Sequence, residues 1–185
     1  MRLARWLAML GALILVVAVP GTAQAAKPVE LFRDTGEFSF TEEVCGLEVE
    51  INGTFTVVVI TREVPNSDGQ AFFGHTTYDV LEVHTNPDTG AQVLIRAKGV
   101  FHETSAEHVE GDIWRFKAID AGTFTLSDSD GNRLLRDRGV VRFTVLFDTL
   151  GDSQPGGVVL EEEVTFHGPH ADEDTFCNVY VGALT

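Results

Sequence analysis

TFTLSDSDGNRLLRDRGVVRFTVLFD, residues 123–148, decides the fold. Two alternating segments flank Asp130-Gly131, and Asp-Gly between such segments is a strong hairpin signal. A type I′ turn needs positive φ at both central residues, which these residue types tolerate. On the second arm Gly139, Val141, Phe143, Val145 and Phe147 share one parity, and Arg136, Arg138, Arg142 and Thr144 share the other. Side chains alternate across a strand, so this arm has one buried face and one wetter face.

Working outward, the same style continues. Phe38, Phe40 and Val44 share a parity; Leu47, Val49 and Ile51 take the opposite one, so a bulge or bend is expected at Cys45-Gly46. Asn52-Gly53 reads as a second hairpin turn, followed by a strand over 54–62. Residues 72–85 are strand-like but mixed. Residues 92–102 alternate cleanly, a short link at Thr104-Ser105 follows, and Trp114, Phe116 and Ala118 then oppose Arg115 and Lys117. Ala121-Gly122 reads as a turn into the central hairpin. Residues 158–167 and 176–184 complete the strands, and no segment after the leader sustains a helical period. Eight to ten strands with tight turns predict an all-β closed, antiparallel up-and-down barrel, with a two-sheet sandwich as the alternative.

The N-terminus has its own logic. Arg2 and Arg5 precede an apolar run, Leu7–Val19, and Ala23-Gln24-Ala25 is a small-x-small cleavage site. The run is shorter than the roughly 20 residues of a membrane span. Residues 1–25 therefore read as a signal peptide and 26–185 as a single domain, exported and free of the membrane after cleavage. Formal charge is −15, and the expected leader contributes only Arg2 and Arg5, so the domain is more acidic still. Such a surface repels nucleic acid and anionic lipid. Cys45 and Cys177 are the two cysteines. An exported chain with two usually pairs them, and a bridge between them would fasten the seam of a barrel.

Candidate chemistry is sparse. His167 and His170, followed by Asp172, Glu173 and Asp174, gather metal-ligating types, but Pro169 between the histidines denies them helical spacing. Asp128-Ser129-Asp130 opens like a calcium loop, yet position 12 is Gly139 where a bidentate Glu is needed. No metal or cofactor is expected. His102-Glu103 and Glu107-His108 flank the expected link and could meet across it as acid and base. His75 and Asp79 share one parity of their strand, Tyr78 and His84 the other. Glu162 falls on the apolar parity of its strand, where burial would raise its pKa. Glu162 and His75 are the candidate catalytic groups; Tyr78, Trp114 and Phe143 are the candidate ligand contacts. Asn52-Gly53-Thr54 matches a glycosylation sequon as well as a turn. No G-x-S-x-G, H-E-x-x-H, P-loop or dinucleotide fingerprint is present.

The leader, domain size, strand count and Cys45/Cys177 placement together resemble the small secreted barrels of the dirigent and allene-oxide-cyclase-like group. The segments GTFTLSDSDGNRLLRDRGVVRFTVLFDTLGD and EEEVTFHGPH look like those of uncharacterised secreted bacterial proteins. The resemblance implies a barrel that places a few polar groups in an apolar interior; no catalytic residue is carried over. The expected function is non-catalytic binding of a small apolar molecule. The alternatives are a cyclase or isomerase, and a secreted structural or interaction module. Oligomeric state is left open.

Overall fold

The computed structural model describes residues 30–185; the expected leader lies outside them. Eight strands form one antiparallel sheet: β1 (Glu30–Val44), β2 (Leu47–Glu63), β3 (Phe72–Thr85), β4 (Gln92–Glu110), β5 (Ile113–Asp128), β6 (Arg133–Asp137), β7 (Val140–Asp148) and β8 (Val158–His167). A helix, α1 (Glu173–Leu184), ends the chain. The spatial order is β1-β2-β3-β4-β5-β7-β8, with β6 also paired to β5. The expected up-and-down order is present. The expected closure is not: β1 and β8 are edges of an open sheet. The topology gives a reason. Each step along the path is antiparallel and the path has seven positions, so β1 and β8 run the same way. Closure would need a parallel seam, slightly less stable per residue than the antiparallel pairs beside it.

The quoted stretch folds as β5, β6 and β7. Asp128 Oδ1 accepts from the N–H groups of Asp130 and Asn132, at 3.0 and 2.8 Å, and shapes the turn. Gly131 alone takes positive φ there, so the turn is not type I′. The type I′ turn lies at Cys45-Gly46, where φ is 52° and 81° and Val44 pairs with Leu47. This two-residue hairpin replaces the expected bulge.

Asn52-Gly53 is not a turn but mid-β2, paired with β1 on one side and β3 on the other. Gly53 is needed because the Phe38 ring occupies the place of a side chain there. Phe55 covers Gly36 in the same way. Aromatic rings laid over glycines of the neighbouring strand restore the contacts those glycines lack. Ala121-Gly122 likewise lies within β5, and β4 runs straight through Thr104-Ser105 with a register shift between Glu103 and Ser105.

The last segment corrects the expected strand. Its valines and aromatics suit either structure, but Asp172 caps a helix by accepting from the Thr175 N–H at 2.7 Å. Glu173 and Asp174 complement the positive end of the helix dipole. Phe176, Tyr180 and Leu184, four apart, form one stripe. Tyr180 and Leu184 are fully buried against Val44, Val49, Ile51, Val93, Ile95 and Leu126. Burying each is worth about 1.5–3 kcal/mol. The expected Cys45–Cys177 disulfide is formed, with Cα atoms 5.4 Å apart. It joins the β1–β2 turn to α1 and not a barrel seam.

We call the helix-bearing side of the sheet its inner face. At its opposite end, residues 64–71 fold over so that Val64 and Ala71 pack with Trp114 and Phe116. The inner face is therefore covered at both ends, by α1 and by the β2–β3 connection, and less covered between them.

Candidate functional site

Between those two covers lies a floor of mixed chemistry. Following paired residues across the sheet, one row reads Val59, Thr76, Phe101, Asp120, Val141. The adjacent rows read Val57, Tyr78, Gly99, Gly122 on one side and Glu103, Ala118, Phe143 on the other. Val57, Val59, Phe101 and Phe143 are all half-buried, and the Phe101 and Phe143 ring centres are 5.9 Å apart.

Tyr78 of β3 reaches across β4 to Asp120 of β5, donating to Oδ1 at 2.9 Å. It can do so because Gly99 and Gly122 lie beneath its ring. A Cβ on Gly99 would stand 2.5 Å from the hydroxyl oxygen, and one on Gly122 2.8 Å. Burial pushes the Tyr78 hydroxyl well above its ordinary range, helped by the Asp120 charge. Burial likewise raises the Asp120 carboxyl, partly offset by the Tyr78 hydrogen bond.

Glu103 is the third member. Its Oε2 accepts from the Gly74 N–H, an approach that the missing Cβ of Gly74 permits. Burial raises its pKa from 4.5 to about 7 against the lowering effect of that hydrogen bond. Glu103 is thus partly protonated at neutral pH, able to donate or accept. Its Oε1 has no partner among the described residues. Three titratable groups whose pKa values burial raises, gathered on one apolar floor, make this floor the candidate site.

A second polar chain lies under α1. Tyr180 Oη is 2.7 Å from His84 Nδ1, and His84 Nε2 is 3.0 Å from Glu82 Oε2. His84 is fully buried with both ring nitrogens engaged. Burial, then the charges of Glu82 and Glu42, raise the Tyr180 pKa. Asn86 Nδ2 and Thr89 Oγ1 hold the last turn by donating to the Leu184 carbonyl at 3.1 and 2.9 Å. Every member has a partner, so this chain fastens the helix and offers little to a ligand.

The candidates from the sequence separate. Tyr78 and Phe143 lie together on the floor. Trp114 is buried in the cluster beneath residues 64–71, its Nε1 without a hydrogen-bond partner among the described residues. His75 lies on the outer face, Nδ1 to Nδ1 3.3 Å from His102 of β4. It is separated by the sheet from Tyr78. Glu162 has the inner parity, paired with Val145, but is exposed on the edge strand β8. The expected meeting of His102-Glu103 with Glu107-His108 does not occur, because all four share β4. His170 Nδ1 meets Asp137 Oδ2 at 2.9 Å and its ring fills the space over Gly139. Among the described residues no group of three or more His, Cys, Asp or Glu side chains is placed to hold a metal.

The outer face carries an Arg96–Asp79 pair, bonded at 3.1 and 2.8 Å. The Arg96 guanidinium holds the Asp79 carboxyl below its usual range. Two open grooves, about 450 and 670 Å³, run along β1–β3, the second reaching Arg96 of β4, and neither includes Tyr78, Asp120 or Glu103.

The interior placement of Asp120 and Glu103 has a signal in the sequence pattern. Each continues an apolar parity: Ile95, Ala97, Gly99, Phe101 and then Glu103; Trp114, Phe116, Ala118 and then Asp120. No protein-family model, curated protein or solved structure matches the chain. Among the described residues no helix is long and apolar enough to cross a membrane.

Proposed function

We propose that the protein is an exported, non-catalytic binder of a small apolar molecule bearing one hydrogen-bonding oxygen, held on the inner-face floor. The observation that carries this reading is the placement of Glu103, Asp120 and Tyr78 among half-buried Val57, Val59, Phe101 and Phe143. The aliphatic and aromatic side chains supply apolar area. Glu103, protonated below about pH 7, supplies a donor in a site of low polarity. The Cys45–Cys177 bridge and the basic-apolar start of the sequence support export.

Native mass spectrometry of the oxidised protein, followed by solvent extraction, tests the reading. A released small molecule with an apolar skeleton is the expected result. The neutral fluorophore N-phenyl-1-naphthylamine should bind, and Phe101→Ala should weaken it at least about tenfold, while Phe166→Ala on the β8 edge leaves it unchanged. No co-purified molecule, together with probe binding indifferent to Phe101, refutes the proposal. One observation favours a second reading: a carboxyl with a pKa of about 7 suits proton transfer, as a cyclase or isomerase requires. Loss of turnover of the extracted molecule in Glu103→Gln, with binding retained, would select it.

A further inference from the structure

We propose that β1 is an interface with a second copy of this chain, joined antiparallel about a two-fold axis at Thr35. Both free edges expose large apolar side chains among their charges. Leu31, Phe32 and Phe40 on β1 are 66, 52 and 45% exposed, and Val158, Val159, Leu160 and Phe166 on β8 are exposed to similar extents. An edge strand also presents backbone N–H and C=O groups that can template another strand; on β1 the Thr35 N–H donates to Asp34 Oδ1 at 2.8 Å, a local contact that pairing at this residue exchanges.

Three arguments select the occupant. First, β1 and β8 run in the same direction, so they cannot form an antiparallel pair with each other within one chain. A two-fold axis makes any edge antiparallel to its own copy. Second, β8 is guarded against its copy. An axis near its centre would oppose Glu161, Glu162 and Glu163 to the same three residues, and like charges directly opposite are unfavourable.

Third, β1 is self-complementary in one register. Alternate residues of β1 turn their backbone groups to β2, and the others turn them outward. An axis through a residue pairs outward groups with outward groups. An axis at Thr35 places Arg33 opposite the second copy's Glu37, twice over, on the outer face. It places Phe32 opposite the second copy's Phe38 on the inner face, beside the stacked Phe38–Phe40 pair. Axes at Asp34 or Glu37 oppose a carboxylate to itself. An axis at Phe38 pairs Arg33 with Glu43 but opposes Asp34 to Glu42. Axes at Gly36 and Ser39 form no opposite-charge pair, and one at Phe40 opposes Glu37 to Glu43. Only the Thr35 axis joins opposite charges without opposing like ones.

The two copies share a strongly negative net charge, which works against association at long range. At about 0.15 M salt the Debye length is about 8 Å, so that repulsion is screened while the contact pairs are less affected.

Sedimentation velocity of the oxidised protein over a concentration series, at that ionic strength, tests the proposal. A monomer–dimer equilibrium is expected. Arg33→Glu alone, or Glu37→Arg alone, should raise the dimer Kd at least about tenfold by opposing like charges at both symmetric positions. The double variant Arg33→Glu/Glu37→Arg should return it to within about threefold of the original. Both positions are exposed, and circular dichroism verifies that each variant is folded. A monomer at every concentration overturns the proposal, as does a dimer indifferent to the single changes or one not recovered by the double. None of these outcomes bears on the inner-face floor, whose ligand is read separately by mass.

Discussion

Replacing Glu103 by Gln should make the protein more stable, and by an amount that depends on pH. Glu103 ionises at about 7 in the folded chain, against 4.5 for the ordinary side chain, because burial disfavours its charge. The sign follows from the proton balance. Below pH 4.5 both folded and unfolded chains hold the proton, and the favourable contribution is complete. Between 4.5 and 7 the unfolded chain releases the proton while the folded chain keeps it. Stability therefore falls as pH rises, by up to about 1.4 kcal/mol per pH unit. Above pH 7 both states are ionised and the loss stops. Over that interval the wild-type chain loses about 3 kcal/mol that the Gln variant does not. Gln can still accept from the Gly74 N–H through Oε1, which keeps the local hydrogen bond.

Urea denaturation of the oxidised proteins at pH 4, 6 and 8 measures this. The difference between variant and wild type should grow by about 3 kcal/mol from pH 4 to pH 8. That corresponds to about 6–12 °C in Tm for a domain of this size. The many exposed carboxylates titrate alike in both proteins and cancel in the difference. A difference that stays constant with pH, to within about 0.5 kcal/mol, refutes the placement of an ionisable Glu103 on the half-buried floor.

Two further outcomes test the scaffold. Replacing Cys45 and Cys177 with Ala opens a 132-residue loop, which the chain-entropy relation values at about 5 kcal/mol, with smaller losses common in practice. Hydrogen exchange should show α1 losing protection before β2–β5, because the bridge ties the helix to the β1–β2 turn. Gly99→Ala should cost about 1–3 kcal/mol by lifting the Tyr78 ring off the sheet. Gly182→Ala, in the helix with open space around it, should instead add about 0.4–1 kcal/mol; denaturation midpoints of the two variants give the comparison, and equal effects would contradict the Tyr78 packing.

Much of the sheet was legible because alternation is a strong local signal. Val141, Phe143, Val145 and Phe147 share the inner face, with Arg142 and Thr144 on the other, as their parity indicates. What failed were signals that one residue pair sends for two reasons. Asn52-Gly53 has turn chemistry, but its glycine serves the Phe38 ring arriving from another strand. Cys45-Gly46 looks like a disturbance in alternation and is the hairpin itself. The terminal helix was hidden by Val179, Tyr180 and Val181, which favour strands equally well; its cap, Asp172 to Thr175, was the available clue. Closure depends on the direction in which two distant strands run, and no local pattern records that.

The polar residues of the inner face differ in how many of their hydrogen bonds the fold itself completes. His84, Tyr180 and Glu82 form a complete chain beneath α1, and its removal would loosen the helix. Tyr78 and Asp120 satisfy one another across a glycine gap. Glu103 has one bond, from a backbone N–H, and spends much of its time neutral at the cost of its charge. An apolar residue there would continue the parity of Ala97 and Phe101 and avoid that cost. The Glu103 carboxyl, beside Phe101 and Ala118, keeps Oε1 open to solvent, since Oε1 is not a buried atom without a partner. A ligand oxygen placed against Oε1 would complete it, and the floor is the part of the inner face that neither α1 nor residues 64–71 cover.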